Sequence, residues 1–346
     1  MSDTMQQMTL AARPVGAPKD SDFALVEKPL PIPAEGEVLV RLHAFSLDPY
    51  MRGRMDDAKS YAAPVPIGGV MEAGGVGEVI ASQSPHFTVG DMAFGMFGWA
   101  SHGCLPANQM RKLDDTLPTS TALGVLGMPG FTGWYGLTQL GRPKAGETLV
   151  VAAATGPVGS MVGQMAKARG LRTVAIAGGA DKCALALEKF GFDAAIDHHA
   201  HENASSLRKA IAEAAPKGID IYFENVGGKV FEAVLPLMNT FGRIPVCGMI
   251  SGYNAGALGG GAVAEGPDRL PVLWRSILVK QMSVNGFIIS NHYDEYPTFL
   301  KEVAPLVATG QLAYLEDIVE GLENAPRAFM GLLEGRNIGK QIVKLT

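Results

Sequence analysis

Residues 147–163, ETLVVAAATGPVGSMVG, constrain this chain more than any other stretch, because a strand, a glycine-rich turn and a helix follow one another without a break. Thr148 to Ala152 form a short apolar run rich in β-branched residues, the pattern of a strand covered on both faces. Ala154, Gly156 and Gly159 then give the A-x-G-x-x-G form of a dinucleotide fingerprint, with Thr155, Pro157 and Val158 completing the turn. A small residue at 154 permits the tight turn, Gly156 lets backbone approach a pyrophosphate, and Gly159 lets the new helix lie close to the strand. Pro157 suits a first helical position, where its missing N–H costs nothing. The N–H groups of that first turn and the positive end of the helix dipole would face the phosphates. With 43 glycines in 346 residues a bare glycine pattern proves little. Here the strand before it and the helix after it supply the context the motif requires.

From residue 147 to about 249 the chain keeps a strand–helix rhythm: ETLVVAA, residues 158–169, RTVAIAG, residues 181–190, AAIDH, residues 204–215, GIDIYFENV, residues 229–238 and GRIPVCGM. That is a βαβ series, which predicts a parallel sheet with helices on both faces. Residues 23–123 read differently, as short strands broken by Gly and Pro that would curl into a small barrel. Residues 1–20 read as a polar tail or edge, and the end of the chain as one helix, 296–307, followed by strand-like sequence returning to the first domain.

The net charge of −5, without a concentrated Lys/Arg stripe, argues against nucleic acid as a partner. Cys104, Cys183 and Cys247 are far apart and form no C-x-x-C pair, which reads as reduced thiols in a cytoplasmic protein. MSDTMQQMTL lacks a signal-peptide plan, and no apolar run reaches the roughly 18 residues of a membrane span. A soluble protein without membrane partners is expected.

The segments SLDPYMRGRM, GMPGFTGWYGL, AAATGPVGS, AGGADKC, ENVGGKVFEAVLP, RIPVCGMISGYN, NGFIIS and RNIGKQIV, in that order, resemble the medium-chain dehydrogenase/reductase superfamily. Within it they resemble the zinc-independent group of leukotriene B4 dehydrogenases, prostaglandin reductases and alkenal double-bond reductases, on its curcumin-reductase-like branch. The resemblance runs from about Pro29 to Val343. It implies an α/β fold made of a GroES-like β-barrel domain (1–125 plus 300–346) and a Rossmann domain with a doubly wound parallel sheet (126–299). It also implies a homodimer.

Zinc-dependent relatives carry a G-H-E motif where this chain reads GGVMEAGG (68–75), and a cysteine where it reads FSLDPY. Neither ligand is present, so no metal is expected. The His198, His199 and His201 cluster lies at the end of a predicted strand, and reads as a strand end or cofactor wall before it reads as a metal site.

An NAD enzyme places an acid at the end of its second strand for the ribose 2′-hydroxyl. Here that strand ends RTVAIAGGADK. Gly178 and Gly179 open space and Lys182 brings a cation suited to a 2′-phosphate, with Asp181 as the only acid in view. The resemblance implies a lysine in this role, so NADP(H) is expected; the alternative is a solvated helix lysine. His198 stands where the group often has a tyrosine.

Asn225, after the fourth strand, sits at the carboxyl end of the sheet, either as a cofactor contact or as a left-handed turn residue before Gly227. The resemblance implies that Cys247, Gly248, Ile250, Ser251 and Tyr253, together with Phe287, Ile288 and Ile289 on a further strand, wall the nicotinamide. It also makes Asn337 a terminal cofactor contact. Cys247 has no nearby base and reads as a small wall residue, not a nucleophile. The group's catalytic tyrosine falls at Tyr253, either as donor to the substrate carbonyl or as an aromatic lid. Tyr50, from the other domain, is expected to face the cleft and orient substrate. Arg52 would pair with Asp48 or Asp56, and residues 254–266 would form a mobile loop over the site.

The activity so implied is NADPH-dependent reduction of the C=C bond of α,β-unsaturated aldehydes and ketones, with a small-molecule enone as partner. The alternatives are an NADPH quinone oxidoreductase and a non-catalytic NADPH-binding protein.

Overall fold

The glycine-turn motif falls inside a parallel sheet, seen in a computed structural model that describes residues 3–256 and 269–345. The expected loop 254–266 therefore lies almost wholly outside the described residues. In chain order the strands are β1 (Thr4–Leu10), β2 (Phe23–Pro29), β3 (Glu37–Ser46), β4 (Gly75–Ser82), β5 (Met92–Gly95), β6 (His102–Pro106) and β7 (Met110–Leu113). They continue as β8 (Thr148–Ala152), β9 (Arg172–Ala177), β10 (Ala194–Asp197), β11 (Ile219–Phe223), β12 (Met238–Val246), β13 (Ser283–Gly286), β14 (Glu316–Glu320) and β15 (Lys340–Lys344). The helices are α1 (Met51–Arg54), α2 (Met128–Tyr135), α3 (Pro157–Ala168), α4 (Ala180–Glu188), α5 (Ala204–Ala214), α6 (Gly228–Val234), α7 (Leu270–Lys280), α8 (Tyr296–Ala308) and α9 (Ala325–Leu333).

Residues 128–252 and 262–315 form one unit. Its sheet runs β10-β9-β8-β11-β12-β13, parallel at every pairing. Strand order reverses between β8 and β11, the switch point of a doubly wound sheet. All five residues of β8 are buried, as its apolar run predicts. Helix α5 starts where Asn203 accepts from the N–H groups of Ser205 and Ser206, both at 3.0 Å. It buries Leu207 and Ile211, one turn apart, in the core with Val150, Val174 and Ile221's neighbour Tyr222. The unit continues through residue 315, so the expected return at 300 falls inside α8. The reason is packing: Phe299 of α8 lies 5.5 Å from Phe131 of α2, and Glu302 accepts from Trp134 Nε1 at 2.7 Å.

Residues 1–127, 253–261 and 316–346 form the other unit. Its larger sheet runs β14-β15-β3-β4-β5-β7, with β6 also pairing β3. Strand β15 is thus an interior strand, parallel to β14 and antiparallel to β3. The two units are the GroES-like barrel and the doubly wound Rossmann domain that the resemblance implies. Of the two readings of the N-terminus, a tail or an edge, residues 4–10 take the second, as a strand paired antiparallel with β2 in a two-stranded sheet. Met5, Met8 and Leu10 are buried, and the apolar side chains outweigh the polar residues between them.

Candidate functional site

At the C-terminal end of β8 the chain turns through Ala153, which takes a left-handed φ of 51°, into Ala154 and a buried Thr155. Gly156 precedes α3, Pro157 occupies its first turn, and no side chain caps the N–H groups there. A Cβ on Gly159 would meet the Ala153 carbonyl oxygen at 2.4 Å, so the close helix–strand approach expected of this glycine is present. At Gly156 a Cβ would meet only that oxygen, at 3.4 Å, leaving an open backbone cradle. The uncapped donors at Val158 and Gly159 fit an anionic group.

Asn225 lies across the sheet's switch point, where its amide donates to the Ala152 carbonyl at 2.8 Å. That bond ties the ends of β8 and β11 together beside the cradle. Asn225 is not left-handed; Gly227 (φ 76°) and Gly228 (φ 53°) carry the turn instead. The residue before it was not anticipated. Glu224 is buried, and its Oε1 accepts from Val226 N–H at 2.6 Å, Gly227 N–H at 2.8 Å and Tyr222 Oη at 3.0 Å. Burial raises its carboxyl above the ordinary range, while those donors pull the other way. Its carbonyl accepts from the N–H groups of Cys247 and Gly248, which fixes the start of the next segment.

That segment is strapped to the 225–228 turn. Ile250 N–H reaches the Asn225 carbonyl at 3.2 Å and Ser251 N–H reaches that of Val226 at 3.1 Å. Ser251 Oγ donates to Val226 O at 2.5 Å. Tyr253 follows two residues later, half-buried in the short helical segment Ile250–Ala255. Burial beside Glu224 pushes the Cys247 thiol up to about 12, which suits a wall residue and not a thiolate nucleophile.

At the second strand's end Gly179 has φ 94° and donates to Asp197 Oδ1 at 2.8 Å, while His199 N–H donates to the same oxygen at 2.9 Å. Asp181 lies in the first turn of α4, and Asp197 is a second acid at this corner. Burial works against its charge, but those backbone donors and the adjacent imidazoles prevail and hold the carboxyl below its usual value. A Cβ on Gly178 would meet His199 Cε1 at 2.7 Å and His198 Nε2 at 3.3 Å, so both imidazoles lie over this corner. Burial, then His199 and Lys229, lower His198 to about 4, leaving a neutral ring at neutral pH. Lys182 sits in the first turn of α4, close enough to bear on His198.

Strand β13 stops at Gly286, so Phe287, Ile288 and Ile289 follow the strand instead of lying on it. The Phe287 ring lies 5.7 Å from that of Tyr135, which in turn stacks on His292 at 4.2 Å; neither of these neighbours was anticipated.

Tyr50 immediately precedes α1, with the Arg54 guanidinium 5.5 Å from its ring centre. Shielding from solvent, then Asp48 and Glu72, raise its phenol well above its normal range, so it is held protonated. Arg52 pairs with Asp56 at 2.5 Å; Asp48 pairs instead with Lys340 at 2.7 Å. Asn337 donates to the Gly339 carbonyl at 2.8 Å. Among the described residues no group of three or more His, Cys, Asp and Glu is arranged to hold a metal, and no helix is long and apolar enough to cross a membrane.

Two family models match the chain: "N-terminal domain of oxidoreductase" over residues 6–113 and "Zinc-binding dehydrogenase" over residues 157–305. The chain is 50% identical to the NADPH-dependent curcumin reductase of Escherichia coli, covering 98% of this chain and 96% of that one. It is 40% identical to the 2-alkenal reductase (NADP(+)-dependent) of Nicotiana tabacum, covering 99% and 97%. The crystal structure of CurA in complex with NADPH from Vibrio vulnificus superposes with a TM-score of 0.92 at 49% identity, over 99% of both chains.

Proposed function

Because the chain belongs to the medium-chain dehydrogenase/reductase family, in its zinc-independent alkenal, prostaglandin and curcumin reductase group, we propose that it reduces the C=C bond of α,β-unsaturated aldehydes and ketones. It is an oxidoreductase whose cofactor is NADP(H). When bound, the nicotinamide supplies a hydride to the β-carbon of the enone. Thr155 to Gly159 would hold the pyrophosphate through uncapped backbone donors, and Lys182 and His198 the 2′-phosphate end. Asn225, Cys247, Gly248, Ile250, Ser251 and Phe287 to Ile289 would wall the reactive ring, with Asn337 a further contact.

The remaining work falls to phenols. As the β-carbon accepts the hydride, negative charge builds on the carbonyl oxygen, and a donor aimed there is stronger in the transition state than in the ground state. Tyr253 is our candidate. The observation that carries the reading is the strap: three hydrogen bonds fix residues 250 and 251 to the turn around Asn225, two residues before this phenol. Tyr50, held protonated, would orient the substrate.

Tyr253→Phe is expected to lower kcat with an enone about 10-fold or more, less than the 100–1000-fold of a lone oxyanion donor, because a cofactor hydroxyl can share the role. NADPH binding should be nearly unchanged. Full kcat in that variant, with loss in Tyr50→Phe, would transfer the donor role to Tyr50. Product analysis separates the alternatives: a saturated ketone supports this reading, hydroquinone formation without enone reduction supports a quinone reductase, and no turnover supports a binding protein.

A homodimer forms part of the proposal. Helix α7 exposes Trp274 (65%) and Leu278 (78%), and β13, carrying the half-exposed Val284, ends the sheet with an edge that no strand pairs among the described residues. Such an edge and such a patch mark a surface built to be covered. Sedimentation should report the mass of two chains; a single-chain mass at micromolar concentration would overturn this. The three free thiols fit a reducing cytoplasm.

A further inference from the structure

Lys229, in the first turn of α6, is used by nothing described so far. Its ammonium donates to two main-chain carbonyls of one short turn, His198 O at 2.9 Å and His201 O at 2.7 Å. These carbonyls bracket the residues whose imidazoles lie over the Gly178–Gly179 corner. The opposite side of the same turn is held by Asp197, which gathers the N–H groups of Gly179 and His199 on one oxygen. The turn is therefore clamped from both sides by charged groups, an anion on its donors and a cation on its acceptors. The charges of Lys182 and Lys229 both bear on the His198 ring, whose edge lies over this corner. In a half-buried setting, two cations raise the local potential for a dianion far more than for a neutral hydroxyl.

We propose that Lys229 is a positioning residue that selects the phosphorylated cofactor: it pins the 198–201 turn against the Gly178–Gly179 corner and adds a second cation beside Lys182. The inference rests on the reading that the cofactor's 2′-phosphate lies at this corner. A lysine that merely stabilised the fold would act on NADPH and NADH alike. A lysine that shapes this corner acts on NADPH, and its contribution fades as salt screens the charge.

The test is binding of NADPH and NADH to the apoprotein, followed by calorimetry and cofactor fluorescence in low and high salt. Lys229→Met is expected to weaken NADPH by about tenfold while NADH stays within about twofold. Lys229→Gln keeps a donor but no charge, folds more readily, and should behave like the methionine variant. Lys229→Arg should restore most of the NADPH affinity. The salt dependence of NADPH binding should be shallower in both neutral variants than in the wild type. Equal losses for both cofactors, or unchanged NADPH binding in Lys229→Gln, would overturn the proposal. Lys182→Ala tells the two ideas apart. If it too fails to discriminate between the cofactors, the placement of the 2′-phosphate is wrong. If it discriminates and the Lys229 variants do not, only the role of Lys229 falls.

Discussion

Lys340→Met is expected to destabilise the protein by about 3–5 kcal/mol, the usual cost of leaving one member of a buried ion pair without its partner. The Lys340 ammonium lies 2.7 Å from Asp48 Oδ1 and 2.6 Å from the Leu47 carbonyl, and its side chain is 3% exposed. Its burial alone would lower the lysine's proton affinity; Asp48 works to restore it. Without the ammonium, the Asp48 carboxylate keeps, among the described residues, the Ser46 hydroxyl, in a place that is 6% exposed. The urea midpoint of the variant, measured beside the wild type, gives the loss. Adding Asp48→Asn to the same chain should recover part of it, because the stranded charge has gone. A single variant within about 1 kcal/mol of the wild type would mean that water reaches the pair. Asp48 is two residues before Tyr50, so the same pair anchors the segment that presents this phenol.

Lys182→Ala should weaken NADPH binding by about 10–150-fold, from the loss of a charge-assisted contact of roughly 1.5–3 kcal/mol, and leave NADH nearly unchanged. The corner it is proposed to serve has no Cβ at Gly178 or Gly179, and Gly179 takes a conformation few other residues adopt. The Asp197 carboxylate at this corner accepts from two backbone N–H groups and so is engaged within the protein. Dissociation constants for both cofactors decide the matter. Equal loss for each would reduce Lys182 to an ordinary surface lysine of α4.

What could be read along the chain was whatever repeats over short distances. The apolar run of β8, the glycine turn and the alternation of strands with helices each lie within a few residues, and each reappears in the structure. The site was legible where a motif is contiguous, as at Gly156, Gly159 and Gly179. It was illegible where partners are remote. Nothing local shows that Asp48 belongs to Lys340, or that Asp197 turns back onto Gly179. Glu224 was in view inside ENVGG, yet its importance lies in donors from its own turn and a carbonyl that receives Cys247 and Gly248. Met5, Met8 and Leu10 escaped notice because their strand is dominated by polar neighbours, and only the partner strand β2 explains it.

The interior position of β15 carries a consequence for how the molecule is made. Strand β3 leaves the ribosome early, yet one of its flanks pairs with Ile342 and Val343, and the Lys340–Leu47 bond closes a loop of 293 residues. Every residue of the Rossmann unit, 128–252 and 262–315, is synthesised within that interval. The nucleotide-binding half can therefore fold while the nascent barrel still has a bare strand edge, which is sticky toward other nascent chains. Until residues 316–346 emerge, that edge of β3 has not yet received the strand that covers it in the folded protein.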